Sequence, residues 1–271
     1  RLRSSLKLAV HALRTKAIFG VEDHLRQYPS RSLAAHVIGF VESGETETDH
    51  GQAFEDHGVT GIELTLDDML TGVYGWRKTG EEMAPTHGLN VVLTLDANIQ
   101  NIVEDELTQA FQRLSPAGLC AVVVRPRTGE VLALANLPTF DPNRPGGSPE
   151  GQRNRATADL FEPGSTFKIV TILTALSDGV LTLSENVFCE NGRWFYGGDW
   201  LRDFSPHGYL SFEEVVAKSS NIGTAKAALR LGKERLYNTV TNFGFGQITG
   251  IPLDAQESGR VRPIRRWSKL S

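Results

Sequence analysis

Cysteine is scarce: two residues, Cys120 and Cys189, in a chain of 271. Two cannot build a disulfide framework, so the chain must hold itself together by burying apolar side chains. Cys120 lies inside Leu119-Cys120-Ala121-Val122-Val123-Val124 and is expected to be a small buried residue. Long hydrophobic runs are also lacking, and none approaches the roughly 18 residues that a membrane-spanning helix needs. No signal peptide is visible. Neither sign of charge dominates: 28 Lys and Arg against 32 Asp and Glu give a net charge of −4, so nothing points to a nucleic-acid partner. The seven histidines are scattered without H-E-x-x-H or similar spacing, so no metal site and no cofactor are expected. Hydrophobic residues at 40% and charged residues at 22% are ordinary for a packed protein, and this length makes two domains a reasonable prior.

Local patterns divide the chain. The first 84 residues are mixed and turn-rich. Glu42 to Asp56 holds six acidic residues and no Lys or Arg, and reads as a solvated loop. Gly58 to Glu63 reads as a turn leading into a helix from Leu64 to Leu70. Asn90 to Leu95 is β-branched and alternating, which predicts a strand. Asp96 then caps a helix whose apolar stripe is Ile99, Val103, Leu107, Phe111 and Leu114. Leu119–Val124 and Val131–Ala135 flank Pro126-Arg127-Thr128-Gly129-Glu130, the pattern of a hairpin with a glycine turn. The unbroken apolar run suggests a strand covered on both faces.

The chemistry concentrates further on. Ser165 and Lys168 sit three residues apart in Glu162-Pro163-Gly164-Ser165-Thr166-Phe167-Lys168, and Ser219-Ser220-Asn221 begins 54 residues after Ser165. A serine hydroxyl is a poor nucleophile at neutral pH and needs a neighbouring base. Positions i and i+3 share a helix face, which places Lys168 beside the Ser165 hydroxyl. A second Ser and an Asn from another segment then serve to relay a proton and to hold an amide. The bland alternative for an isolated S-x-x-K is a solvated lysine and a serine that opens a helix. Context favours chemistry: Pro163-Gly164 breaks the chain just before Ser165, and Ile169 to Leu176 reads as a buried helix ending near Asp178-Gly179. Ser165 therefore opens a core helix, where backbone N–H groups favour developing negative charge.

Downstream, Arg193 to Trp200 is an aromatic cluster around Gly197-Gly198 and reads as a packed hairpin rather than a substrate groove. Arg202 and Asp203 read as a surface pair. Ser211-Phe212-Glu213-Glu214 is a capping box for a short helix that delivers Lys218 and Ser219 to the rim of a cleft. Asn221 to Leu231 and Lys233 to Phe243 are predicted helices separated by Gly232. The tail carries Arg260, Arg262, Arg265, Arg266 and Lys269 and reads as an exposed loop.

Around the two motifs stand Asn154 to Phe161, running into E-P-G-S-T-F-K, and Lys218-Ser219-Ser220-Asn221-Ile222-Gly223-Thr224-Ala225-Lys226. Upstream are Arg26-Gln27-Tyr28-Pro29, His36-Val37-Ile38-Gly39-Phe40, Gly61-Ile62-Glu63 and Leu93-Thr94-Leu95-Asp96, and downstream is Phe243-Gly244-Phe245-Gly246. In this order and spacing the chain resembles the class B penicillin-binding proteins, monofunctional D,D-transpeptidases of the bacterial cell wall, most closely their septal branch. The resemblance runs from about Arg26 to Trp267. It implies an α+β fold: part of an N-terminal pedestal, or dimerisation, domain over residues 1–84, then a penicillin-binding transpeptidase domain over 85–271, similar to serine β-lactamases and incomplete at its C-terminus. It implies Ser165 as nucleophile, Lys168 as its base, Ser219 as proton shuttle to the leaving D-Ala amine, and Asn221 as the group that binds the substrate amide. The Ser165 N–H would form half of an oxyanion hole.

Peptidoglycan stem peptides, β-lactams and divisome membrane proteins are the implied partners. The implied location is the bacterial inner membrane, with the catalytic domain on its extracytoplasmic side. Two family features are missing. No K-[ST]-G follows Ser219-Ser220-Asn221, and Lys78-Thr79-Gly80, which precedes both motifs in a glycine-rich run, reads as a loop decoy. The anchoring helix is also absent, and the chain starts at Arg1, so it is expected to be an internal piece of a longer protein with little activity alone. A serine β-lactamase or D,D-carboxypeptidase shares the nucleophile, but the long segment before Ser165 argues against a compact β-lactamase. A β-lactam sensor or a non-catalytic division scaffold is the non-enzymatic alternative.

Overall fold

The computed structural model describes residues 25–48, 51–73, 76–78, 81–84 and 86–267. The chain divides into two compact units, Arg1–Gln152 and Arg153–Ser271. Among the described residues every sheet is a two-stranded antiparallel ribbon, so helices supply most of the packing.

In the first unit, β1 (Val41–Thr48) pairs with β2 (Gly51–Gly58) in register from Val41 opposite Gly58 to Thr48 opposite Gly51. Of the acidic stretch from Glu42 to Asp56, residues 42–48 and 51–56 are thus paired strands and not a loop, while Asp49 and His50 lie outside the described residues. A polar strand needs only a partner for its backbone ladder, a condition that composition does not report. The one-turn helix α1 (Ala35–Ile38) precedes this hairpin, and Tyr28, Ala35, Phe40 and Phe140 form a small core beside it. Gly39 (φ +79°) and Gly61 (φ +61°) are left-handed and touch one another's backbone, an approach that a Cβ on either would block. The predicted helix from Leu64 to Leu70 is two short ones, α2 (Gly61–Thr65) and α3 (Asp67–Thr71), broken at Leu66. Lys78 ends strand β3 (Trp76–Lys78), which pairs with β4 (Glu81–Met83), so it is not in a loop; Thr79 and Gly80 lie outside the described residues.

Helix α4 (Ala97–Leu114) starts where predicted, with Asp96 accepting from the backbone N–H groups of Asn98 (2.9 Å) and Ile99 (3.1 Å). Its half-buried stripe is Ile99, Val103, Leu107 and Phe111, while Leu114 is exposed. The buried member is Gln100, whose amide bonds both the N–H (2.8 Å) and the C=O (2.9 Å) of Leu134. The hairpin of β5 (Leu119–Val124) and β6 (Val131–Leu137) forms as expected, with Gly129 at φ +78° in its turn. Two expectations fail nearby. Asn90 to Leu95 is not a strand, because only its end finds β6, through Thr94 Oγ1 to Val131 O (2.6 Å) and Asp96 N to Leu132 O (2.9 Å). Strand β5 is covered on one face only, so Val122, Val124 and Cys120 are exposed. Helix α5 (Pro149–Gln152) closes the unit.

The second unit is built on helix packing. After α6 (Arg155–Ala158), a 3-10 turn (Gly164–Phe167) leads directly into α7 (Lys168–Ser177), which ends at Asp178 with Gly179 left-handed (φ +64°). Two ribbons follow, β7 (Asn186–Phe188) with β10 (Tyr209–Ser211), and β8 (Arg193–Tyr196) with β9 (Asp199–Arg202). Phe195 against Trp200 and Trp194 against Tyr196 pack across and along the latter. Ser211 completes the predicted capping box of α8 (Phe212–Ala217). Helices α9 (Asn221–Leu231) and α10 (Lys233–Asn242) meet at Gly232. Helix α7 packs on both. Ile172 and Ala175 join Val187, Phe212, Val215, Ala227 and Leu231 in the main core, and Val170 joins Leu236 and Val240 in a second one.

Candidate active site

Three segments of the second unit meet at the site: the start of α7, the link from α8 to α9, and the chain leaving β9. Gly164 turns the chain before α7 in a left-handed conformation (φ +59°) that favours glycine, although the space beside it is open. Thr166 Oγ1 donates to Pro163 O (2.6 Å) and tightens that turn. Phe167 points inward, edge-on to Phe245 at 5.2 Å, and the buried Val170 follows. This anchoring leaves Ser165 exposed on the first turn, where its hydroxyl makes no hydrogen bond among the described residues.

Lys168 is the first α-helical residue of α7. Its ammonium donates to the carbonyl oxygen (2.6 Å) and to the hydroxyl (3.0 Å) of Ser219. The two motifs predicted 54 residues apart are therefore joined by hydrogen bonds, made to Ser219 and not to Ser165. Burial pushes the Lys168 ammonium below the ordinary lysine range, and the negative charge of Asp203 partly opposes this. A lysine so placed gives up its proton more readily than a solvated one, as a general base must.

Ser219 occupies the link between α8 and α9 at φ +51°. That region is uncommon for a non-glycine residue. The link is pinned by Ser219 N to Val216 O (3.1 Å) and Ser220 N to Val215 O (3.0 Å). The three motif residues then alternate. Ser219 and Asn221 face outward, while Ser220 is 2% exposed. Ser220 Oγ accepts from Gly223 N (2.9 Å) and donates its single proton to Asp203 Oδ2 (2.6 Å), with Cys189 Sγ at 3.5 Å behind it. Burial raises the Cys189 thiol above its usual range. Asn221 Nδ2 donates to Arg202 O (2.7 Å), and among the described residues its side-chain oxygen accepts no hydrogen bond.

The sequence expectation of an Arg202–Asp203 surface pair is wrong. Asp203 Oδ1 accepts from Ile222 N (3.0 Å) while Oδ2 holds Ser220, so both carboxylate oxygens serve the start of α9. An acid 17 positions before the serine it binds has no local signature. The available signal was the motif itself, since a buried middle serine needs an acceptor. Lys226, further along α9, donates to Phe188 O (2.7 Å) and Glu190 Oε1 (2.6 Å) and lies over the Trp194 ring at 5.1 Å. Lys218 pairs with Glu214 one turn back in α8 (3.2 Å). Among the described residues no group of three His, Cys, Asp or Glu side chains is placed to hold a metal, and no helix is long and apolar enough to cross a membrane.

Residues 119–271 match the penicillin binding protein transpeptidase domain, and residues 4–84 match the penicillin-binding protein dimerisation domain. The chain is 34% identical over 274 residues to stage V sporulation protein D of Bacillus subtilis, an alignment covering 95% of this chain and 41% of that protein. It is 34% identical over 261 residues to the peptidoglycan D,D-transpeptidase FtsI of Escherichia coli, covering 92% of this chain and 42% of that protein. Among solved structures, penicillin binding protein 3 of Mycobacterium tuberculosis complexed with ampicillin superimposes with a TM-score of 0.77 at 38% identity, over 90% of this chain and 52% of that one. The chain thus spans about two fifths of the length of these curated relatives.

Proposed function

Since the chain belongs to the class B penicillin-binding proteins, on the septal side of that family, we propose that it carries the nucleophile half of a D,D-transpeptidase site that cross-links peptidoglycan stem peptides at division. The observation that carries this reading is the contact of Lys168 Nζ with Ser219 Oγ at 3.0 Å, which joins the two motifs, with Ser165 exposed three positions before Lys168.

In the proposed reaction Ser165 Oγ attacks the carbonyl carbon of the penultimate D-Ala and gives its proton to neutral Lys168. The peptide C–N bond breaks, and the leaving D-Ala amine takes a proton through Ser219. An amine of a second stem peptide then attacks the Ser165 ester, forms the cross-link and frees the serine. Asn221 presents its side-chain oxygen to the donor's amide N–H. A β-lactam follows the first half of this path and remains as an ester on Ser165. The names of the relatives and the ampicillin complex of the solved neighbour support this choice.

Residues 1–84 serve as part of a pedestal and the catalytic part begins near residue 85; the dimerisation match, which ends at residue 84, supports the first bound, and the transpeptidase match begins at residue 119. The site works on the extracytoplasmic face of the plasma membrane, where peptidoglycan lies, among membrane proteins of the division machinery. The test is covalent labelling of the whole gene product with a fluorescent penicillin. One Ser165-dependent label per molecule, lost in Ser165→Ala, is expected. A Ser165→Ala protein labelled as strongly as the parent would overturn the assignment.

A further inference from the structure

We infer that Asp203 is a positioning residue for this acyl-transfer site, fixing the backbone on which Ser219 and Asn221 are presented. The inference rests on the transpeptidase reading.

Three observations converge on Asp203. Its own position is set, because its backbone N–H donates to Gly192 O (3.1 Å) and its neighbour Arg202 gives its carbonyl to Asn221 Nδ2 (2.7 Å). Its two carboxylate oxygens are divided between the side chain of Ser220 (2.6 Å) and the backbone N–H of Ile222 (3.0 Å). Those are alternate positions of one turn, so the carboxylate grips α9 on its inner side while Ser219 and Asn221 point out. Finally, Ser220 is buried, and a buried hydroxyl without an acceptor is costly, so the link between α8 and α9 has little freedom to choose another arrangement. Bonds to a charged acceptor are the stronger kind, and the free N–H groups of a helix start favour negative charge.

A residue that holds a backbone acts on the chemistry through distance. A misplacement of about 1 Å caused away from the reacting atoms costs on the order of 10²-fold in rate. Asp203 also projects its charge onto Lys168, where it raises the ammonium pKa against the lowering by burial. Its charge also acts on the Cys189 thiol after β7, on which Lys226 of α9, paired with Glu190, acts in the opposite sense. Lys168 must be neutral to accept the Ser165 proton, so the acid limb of the acylation rate follows its pKa. Removing the Asp203 charge lowers that pKa and moves the limb to lower pH.

The experiment measures the second-order rate of fluorescent-penicillin labelling against pH in the whole gene product, for the parent, Asp203→Asn and Ser220→Ala, with thermal unfolding alongside. Asp203→Asn is expected to label on the order of 10²-fold more slowly on its plateau and to show its acid limb at lower pH. Ser220→Ala is expected to slow labelling with its limb unmoved, because the Asp203 charge remains. A folded Asp203→Asn protein with the parent's rate and limb would overturn the inference while leaving Ser165-dependent labelling intact. Should Asp203→Asn fail to fold, Ser220→Ala decides: labelling at the parent's rate overturns the inference, and slowed labelling with an unmoved limb supports it. Failure of the transpeptidase reading shows separately, as label that survives Ser165→Ala with Asp203 in place.

Discussion

Gly223 sits in the third position of α9 with helical backbone angles, where glycine is ordinarily a weakness. Alanine gains about 1 kcal/mol over glycine in a helix interior, so propensity alone predicts that Gly223→Ala stabilises the protein. The surroundings predict the reverse. A Cβ on residue 223 would stand 2.6 Å from both methyl groups of Val215 and 3.2 Å from Ser220 Oγ. Val215 is fully buried in the core against Phe212 and Ala227, so it turns away only by driving its methyls into packed neighbours. Overpacking of this kind costs about 1–3 kcal/mol. Strain on the bond from Gly223 N to Ser220 Oγ adds up to about 1 kcal/mol. With the helix gain of about 1 kcal/mol subtracted, the net expectation is a loss of up to about 3 kcal/mol in place of that gain, read by urea unfolding, together with slower penicillin labelling because the displaced Ser220 carries the motif with it. Val215→Ala makes room for the new methyl, so the double variant should be more stable than the sum of its parts by about 1–2 kcal/mol. A Gly223→Ala protein more stable than the parent by the full propensity gain of about 1 kcal/mol, or strictly additive effects in the double variant, would refute the packing argument.

Three further outcomes follow from the same geometry. Lys168→Arg keeps a cation but not one that deprotonates, so labelling should fall about 10²–10⁴-fold; a rate within tenfold of the parent's would remove Lys168 as the base. In the parent, labelling should rise with pH through a Lys168 pKa held below the ordinary range by burial, and a limb at the value of a solvated lysine would contradict this. Asp96→Ala removes the acceptor for two N–H groups at the start of α4 and should cost about 1 kcal/mol in unfolding, with Asp96→Asn largely restoring it.

Features set by near neighbours in the chain were legible. The Asp96 cap, the Ser211 capping box, the Gly232 stop and the hairpin around Gly129 all depend on residues a few positions apart, and the structure has each of them. The spacing within each motif is local in the same sense, since Ser165 and Lys168 share one turn and Ser219 and Asn221 flank another. Features set by distant partners were not. Asn90 to Leu95 has the composition of a strand but finds β6 only at one end, and Cys120 sits in an apolar run whose outer face is uncovered. The acidic stretch became a hairpin because backbone pairing is indifferent to side-chain charge. Asp203 was misread since its partners are 17 and 19 positions away.

The motif S-S-N also divides labour in a way that its spelling hides. Ser219 and Ser220 are chemically identical neighbours, yet one is exposed at Lys168 and the other buried at Asp203. The backbone makes the difference. At φ +51° Ser219 turns the chain out of α8 by one left-handed residue, which carries its hydroxyl to the lysine and swings the next side chain inward. Such a conformation costs about 1–2 kcal/mol for a residue with a Cβ. Glycine avoids that cost but has no hydroxyl to sit 3.0 Å from Lys168 Nζ. The strain is therefore tied to the one side chain that the proposed proton path needs. It is held by the Lys168 bond to Ser219 O and by the Asp203 clamp one residue further on, so Lys168 and Asp203 secure the backbone of the motif while the Asp203 charge also acts on the Lys168 ammonium.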